Sequence, residues 1–137
     1  LATDIDPVVV QTARAGLYGE DAVAAIPLDM RRWLQPSADR QGAWRMGDEL
    51  RRLIAFRELN LLGPWPMKGR FDAIFCLNVV IYFTGDTQSR IWSRFRLLLP
   101  AHGYLYISHS ERLTGPAVSA FVSDGLTVYS VAGGGRA

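Results

Sequence analysis

The sequence predicts an α/β fold: a mostly parallel sheet with helices between its strands, closed at the C-terminal end by an antiparallel hairpin. Three observations predict it. A strand end runs directly into a capped helix in "LATDIDPVVVQTARAG". A continuous apolar segment, "FDAIFC", precedes a long amphipathic stretch, and Asp124-Gly125 sits between two β-prone runs near the end.

The elements follow in order. In "TDIDPVVVQTARAGLY", Asp6 suits an N-cap because its carboxylate can accept an orphan backbone N–H. Pro7 suits the first helical position, and Gly16 suits the stop. "EDAVAAIPLDMRRWL" reads as one or two short helical pieces divided at Pro27, with Ile26, Met30, Trp33 and Leu34 as inward candidates. "QPSADRQG" is a loop by composition. "AWRMGDELRRLIAF" tolerates a helix over "GDELRRLI", or short strands at "WRM" and "LIAF" around a Gly-Asp turn; the strands are favoured. "RELNLLGPWPMKGR" runs into a Pro and Gly loop. "FDAIFC", with only Asp72 polar, fits an inner strand of a parallel sheet covered on both faces.

After Phe83, "TGDTQSRIWSRFRLLLP" carries a start signal, apolar Ile91, Phe95, Leu98 and Leu99 at helical spacing, and Pro100 as a stop. "GYLYIS" is the next strand, and "AFVSDGLTVYSV" is the hairpin. The tail "AGGGRA", residues 132–137, is flexible by composition, and its glycines are no phosphate loop because no helix follows them.

Composition narrows the function classes. With 137 residues, 49% hydrophobic and 20% charged, the chain can bury one core, so one domain is expected over residues 1–131. No apolar run approaches the roughly 20 residues of a membrane span, and the N-terminus lacks the order of a signal peptide, so cytoplasm is the expected compartment and no membrane insertion is expected. A single cysteine, Cys76, permits neither an internal disulfide nor a cysteine cage, and His102 and His109 do not make a metal site. The net charge of +2 comes from arginines and Lys68 spread along the chain, and the aromatics lie inside apolar patterns; nucleic acid is therefore set aside as a partner. The chain starts at Leu1, not Met, and opens as a strand end, which suggests a fragment.

Ligands on parallel sheets sit at the carboxyl ends of the strands, so the polar residues there are the candidates. A carboxylate after such a strand can accept from both hydroxyls of a ribose. Either Asp4 or Asp6 could instead cap the following helix; Asp6, beside Pro7, is the better cap, which leaves Asp4 available. Asn78 is either a turn-tolerant residue or an amide that fixes a ligand at the crevice. Tyr82 is either an amphipathic ring with its hydroxyl in water or a substrate contact.

Taken together, "LATDIDPVVVQTARAGLY", "LNLL", "FDAIFCLNVVIYF" and "GYLYISHSE", in this order, resemble the CheR-type chemotaxis-receptor methyltransferases, protein-glutamate O-methyltransferases that use S-adenosylmethionine. The resemblance covers nearly the whole chain. It implies a Rossmann-like class I methyltransferase sheet with a small inserted β subdomain at residues 35–57. It also implies that the first strand, its Gly-rich loop and a helical N-terminal domain would precede Leu1. Asp4 would hold the ribose hydroxyls, Asn60 and Leu61 would flank the adenine, and Cys76 and Leu77 would line the cofactor. Asn78 and Tyr82 would face the reacting methyl group and the substrate side chain. The partners implied are methyl-accepting receptor helices, with a receptor tail docked on the β subdomain. One departure stands out: the family pattern usually has arginine where this chain has Leu77, which cannot donate charged hydrogen bonds.

The reaction implied is attack of a glutamate carboxylate on the sulfonium methyl, giving a methyl ester and S-adenosylhomocysteine. A glutamate with a pKa of about 4.3 is ionised at neutral pH and needs no general base. His109 and Glu111 are accordingly read as residues of the turn after a strand. A truncated, non-catalytic member that serves as a receptor- or partner-docking module is the alternative, and an unrelated nucleotide-binding α/β domain the third reading.

Overall fold

A computed structural model describes residues 1–133. The chain divides into two compact units, Leu1–Trp65 and the residues from Pro66 onward.

The first unit opens with β1 (Ala2–Asp4), which pairs in parallel with β5 (Phe56–Glu58) in the register Ala2 to Phe56 and Asp4 to Glu58. Between them in sequence comes α1 (Pro7–Ala15), bounded as its residues dictate. Asp6 accepts the Val8 N–H at 2.8 Å, Pro7 holds the first turn, and Gly16 ends the helix at φ 65° with its N–H on Thr12 O. That left-handed φ strains any residue with a Cβ, and a Cβ at Gly16 would also press on Arg51 and Met46. Arg14 Nη2 reaches Phe56 O at 2.9 Å, and Arg51 Nη2 reaches Arg14 O at 2.8 Å.

The same unit contains an antiparallel three-stranded sheet of order β2 (Leu17–Gly19), β4 (Ala43–Met46), β3 (Leu34–Pro36). Short helices α2 (Glu20–Ala24) and α3 (Asp48–Arg52) and a 3₁₀ turn, Arg31–Trp33, flank its strands. "WRM" is a strand as expected, but Gly47-Asp48 opens α3 and not a strand-to-strand turn. Its acidic first residues and basic last ones, Arg51 and Arg52, complement the helix dipole, and Arg51 pairs with Asp48 at 3.1 Å. Val23, Leu34 and Ala43 are buried, whereas Met30 and Trp33, expected inside, are exposed. After Pro27 the chain makes only a 3₁₀ turn, so α-helical spacing no longer selects the inward face. Arg31 binds the carbonyls of Ile26 and Ala24, and Arg32 lies over the Trp33 ring at 5.2 Å.

The second unit holds a four-stranded sheet of order β6 (Ala73–Cys76), β7 (Tyr104–Ile107), β9 (Val128–Val131), β8 (Phe121–Ser123). The β6–β7 pair is parallel, with α4 (Gly85–Leu98) as its crossover; the other two pairs are antiparallel and include the hairpin read at Asp124-Gly125. The register puts Cys76, Leu105, Ile107, Val131 and Phe121 on one face, all buried, together with Ile91, Trp92, Phe95 and Leu99. A 3₁₀ turn, Gly115–Ala120, packs on α4, and Gly115 is required there: φ is 71° and a Cβ would collide with Ser89 Oγ.

The expectation that "FDAIFC" is covered on both faces is corrected. Within its unit β6 is the outer strand, and its residues alternate, so Phe75 remains 68% exposed and stacks on Tyr106 at 4.4 Å on the open face. Of the expected tail, Ala132 still donates to Ala120 O at 2.9 Å, and residues 134–137 lie outside the described residues. Among the described residues no helix is long and apolar enough to cross a membrane.

Candidate functional site

In the first unit the candidate residues gather where β1 and β5 end. Asp4 Oδ1 accepts the Asp6 N–H at 2.9 Å, a short-range bond that holds the carboxylate at the mouth of the turn and leaves Oδ2 as an acceptor. Leu59 N donates to Asp4 O at 2.9 Å, so the chain leaving β5 stays beside the end of β1. Asn60 follows immediately. Its Oδ1 accepts the Leu62 N–H at 2.8 Å, a side-chain mimic of a backbone turn, and its carbonyl accepts from Gly63 N at 3.1 Å. The Asn60 amide hydrogens are left as donors, and Trp65 Nε1 fixes the Leu61 carbonyl at 3.2 Å. Asp4, Asn60 and Leu61 are thus brought together by a two-strand parallel ladder and one side-chain turn.

In the second unit the strand end is built differently. Cys76, the last residue of β6, is buried, and burial together with the nearby Glu111 carboxylate pushes its thiol up to about 12. Leu77 is half exposed, and Asn78 adopts φ 58°, the only described residue besides glycines with a positive φ. Asparagine tolerates this left-handed conformation better than most residues, and here it reverses the chain so that Val79 enters the helical region. A 3₁₀ turn, Val80–Tyr82, follows; Val80 is fully buried, whereas Tyr82 is 81% exposed. Cys76, Leu77, Asn78 and Tyr82 therefore share one strand end and one turn.

The charge at this turn lies underneath it. Glu111 is 3% exposed; its Oε1 accepts from Val79 N and Val80 N, both at 3.0 Å, and its Oε2 from Ser108 N at 2.8 Å. Burial alone would raise its pKa, but the hydrogen bonds from Ser108, Val80 and Val79 outweigh it and hold the carboxyl below the ordinary glutamate value. Among the described residues no cation forms an ion pair with it. From the other side Gln88 Nε2 donates to Val80 O and Phe83 O, each at 3.0 Å.

The family description "CheR methyltransferase, SAM binding domain" matches residues 1–129. The chain belongs to this family. It is 49% identical over 131 residues to a Rhizobium etli protein named "Probable chemotaxis protein methyltransferase", covering 94% of this chain and 49% of the relative. It is 41% identical over 133 residues to the chemotaxis protein methyltransferase of Klebsiella aerogenes and 37% identical over 133 to that of Escherichia coli, covering 95% of this chain and 46% of each relative. The chain spans about half the length of these relatives. The mixed α/β architecture, with parallel pairs and terminal antiparallel strands, is that of a Rossmann-like CheR methyltransferase domain, and S-adenosylmethionine is the cofactor of the family.

The CheR motif "FCLNVVIYF" thus corresponds to a strand end, a left-handed Asn78 and a short turn. Sequence reasoning missed Gln88 altogether. A glutamine in the first turn of an amphipathic helix carries no signal that its amide will bridge two carbonyls. Glu111 was read as a turn residue, but its reach to Val79 and Val80, 32 and 31 residues away, was not foreseeable from "SHSE".

Proposed function

We propose that the protein carrying this chain transfers a methyl group from S-adenosylmethionine to glutamate side chains of chemotaxis receptors in the cytoplasm, giving methyl esters and S-adenosylhomocysteine. The observation that carries this reading is the turn after β6, where an exposed Tyr82 and a left-handed Asn78 follow a buried strand end.

The residues present fit the family's cofactor. In the first unit Asp4 has an oxygen left for ribose hydroxyls, Asn60 has amide hydrogens for an adenine acceptor, and Leu61 offers apolar surface; in the second unit Leu77 offers apolar surface of its own. Cys76, whose thiol is buried and neutral, contributes through the backbone of the strand end. When bound, S-adenosylmethionine supplies an electrophilic sulfonium methyl. Asn78 and Tyr82 orient the incoming carboxylate, since an amide and a phenol can both donate hydrogen bonds without adding a cation that would over-stabilise the anion. No general base is needed, because the substrate carboxylate is ionised at neutral pH. Receptor helices are the substrate, and a receptor tail on the antiparallel sheet β2–β4–β3 is a second contact.

The test is methyl transfer by the full-length protein to a receptor cytoplasmic fragment. Base-labile methyl on receptor glutamates is expected. Binding of the receptor fragment with neither cofactor binding nor base-labile methyl would leave the docking module as the better reading.

A further inference from the structure

We infer that Glu111 and Gln88 are positioning residues that hold the turn presenting Asn78 and Tyr82, an inference that rests on the function proposed above. Two consecutive N–H groups, those of Val79 and Val80, converge on the single oxygen Oε1 of Glu111. Such convergence requires Val79 in the helical region, at φ −110° and ψ −49°, immediately after the reversal at Asn78. The Glu111 carboxylate therefore holds Asn78 in a conformation that side chains adopt reluctantly. Its second oxygen ties the same turn to Ser108, just beyond the end of β7.

Gln88 does the complementary work on the carbonyl side. Its one amide nitrogen donates to Val80 O and Phe83 O, the two carbonyls that bracket Ile81 and Tyr82. The backbone that carries the Tyr82 ring is thus held from both ends, while the ring itself stands in solvent. Glu111 is buried beneath the turn, so it acts on a substrate only through the turn. The carboxylate form matters: a glutamine at 111 would present its NH₂ group to one of the N–H donors it must accept from.

The experiment uses the full-length protein, a receptor cytoplasmic fragment and five variants: Glu111→Gln, Gln88→Met, Tyr82→Phe, and the first two each combined with Tyr82→Phe. Turnover is measured beside the cofactor dissociation constant and the melting temperature. Glu111→Gln is expected to lower kcat about tenfold or more while cofactor affinity stays within about twofold, because misorientation costs rate more than binding. The loss is expected to shrink in the Tyr82→Phe background, since both changes act through one turn. Unchanged kcat, or losses that multiply independently, would overturn the inference. If Glu111→Gln does not fold, Gln88→Met decides: lowered kcat at unchanged melting temperature supports the role, and wild-type kcat overturns it. An inactive wild-type protein strikes at the proposed function itself, and this role falls with it.

Discussion

Asp4 and Asp6 form a relay: the Asp4 carboxylate accepts the Asp6 N–H at 2.9 Å, while the Asp6 carboxylate accepts the Val8 N–H at 2.8 Å and caps α1. Two aspartates two residues apart thus have separate tasks. Asp4→Ala is expected to weaken S-adenosylmethionine binding by about 1 to 3 kcal/mol, the scale for lost hydrogen bonds to a charged group. Asp6→Ala should instead cost about 1 kcal/mol of stability through the lost cap, with a smaller effect on affinity. Calorimetry and denaturant titration on the two variants separate these outcomes; equal cofactor affinity for wild type and Asp4→Ala would return Asp4 to a purely local role.

Tyr82 stands outside the core, so Tyr82→Phe should leave stability within about 0.5 kcal/mol of wild type. Turnover is expected to fall more than cofactor affinity, because the lost hydroxyl would orient the carboxylate and not the cofactor. Steady-state kinetics beside a binding isotherm reads the split, and full activity would remove the hydroxyl from the mechanism.

Glu111 links stability to pH. Its folded pKa lies below the unfolded value, so it favours the folded state fully above the unfolded pKa of about 4.3. That contribution disappears as pH falls from there through the lower folded pKa. Wild type should therefore lose melting temperature in this acid window, and Glu111→Gln should be less stable at pH 7 with a flatter acid dependence. Parallel slopes for the two proteins would assign the acid sensitivity elsewhere.

The Cys76 thiol, buried and pushed up to about 12, should be inert to a disulfide-exchange reagent at pH 8 in the folded protein and react fully in denaturant. Fast labelling without denaturant would show that the end of β6 opens readily.

Gly115→Ala should destabilise the protein by about 1 to 3 kcal/mol, because it combines a left-handed backbone with a collision against Ser89. Adding Ser89→Ala should recover only part of the loss, since the Ser89 Cβ also crowds the site and the backbone strain stays. Urea denaturation of the single and double variants measures both amounts.

The α/β class, the cap and stop of α1, the span of α4 and the terminal hairpin were determined by the sequence itself. Each rests on signals carried within a few residues: Asp6 and Pro7 before the helix, Gly16 after it, apolar spacing from Ile91 to Leu99, and Asp124-Gly125 between β-prone runs. The order of the CheR motifs was legible for the same reason. Tertiary structure alone decided that "GDELRR" is helical, that Met30 and Trp33 face out, and that β6 leaves Phe75 on an open face. It alone brought Glu111 beneath Val79 and Val80, and Gln88 to the far side of the same turn. The physical reason is range. Caps and turns are satisfied by neighbours in the chain, whereas a buried carboxylate is satisfied by N–H groups some thirty residues away, whose convergence only the packed fold creates.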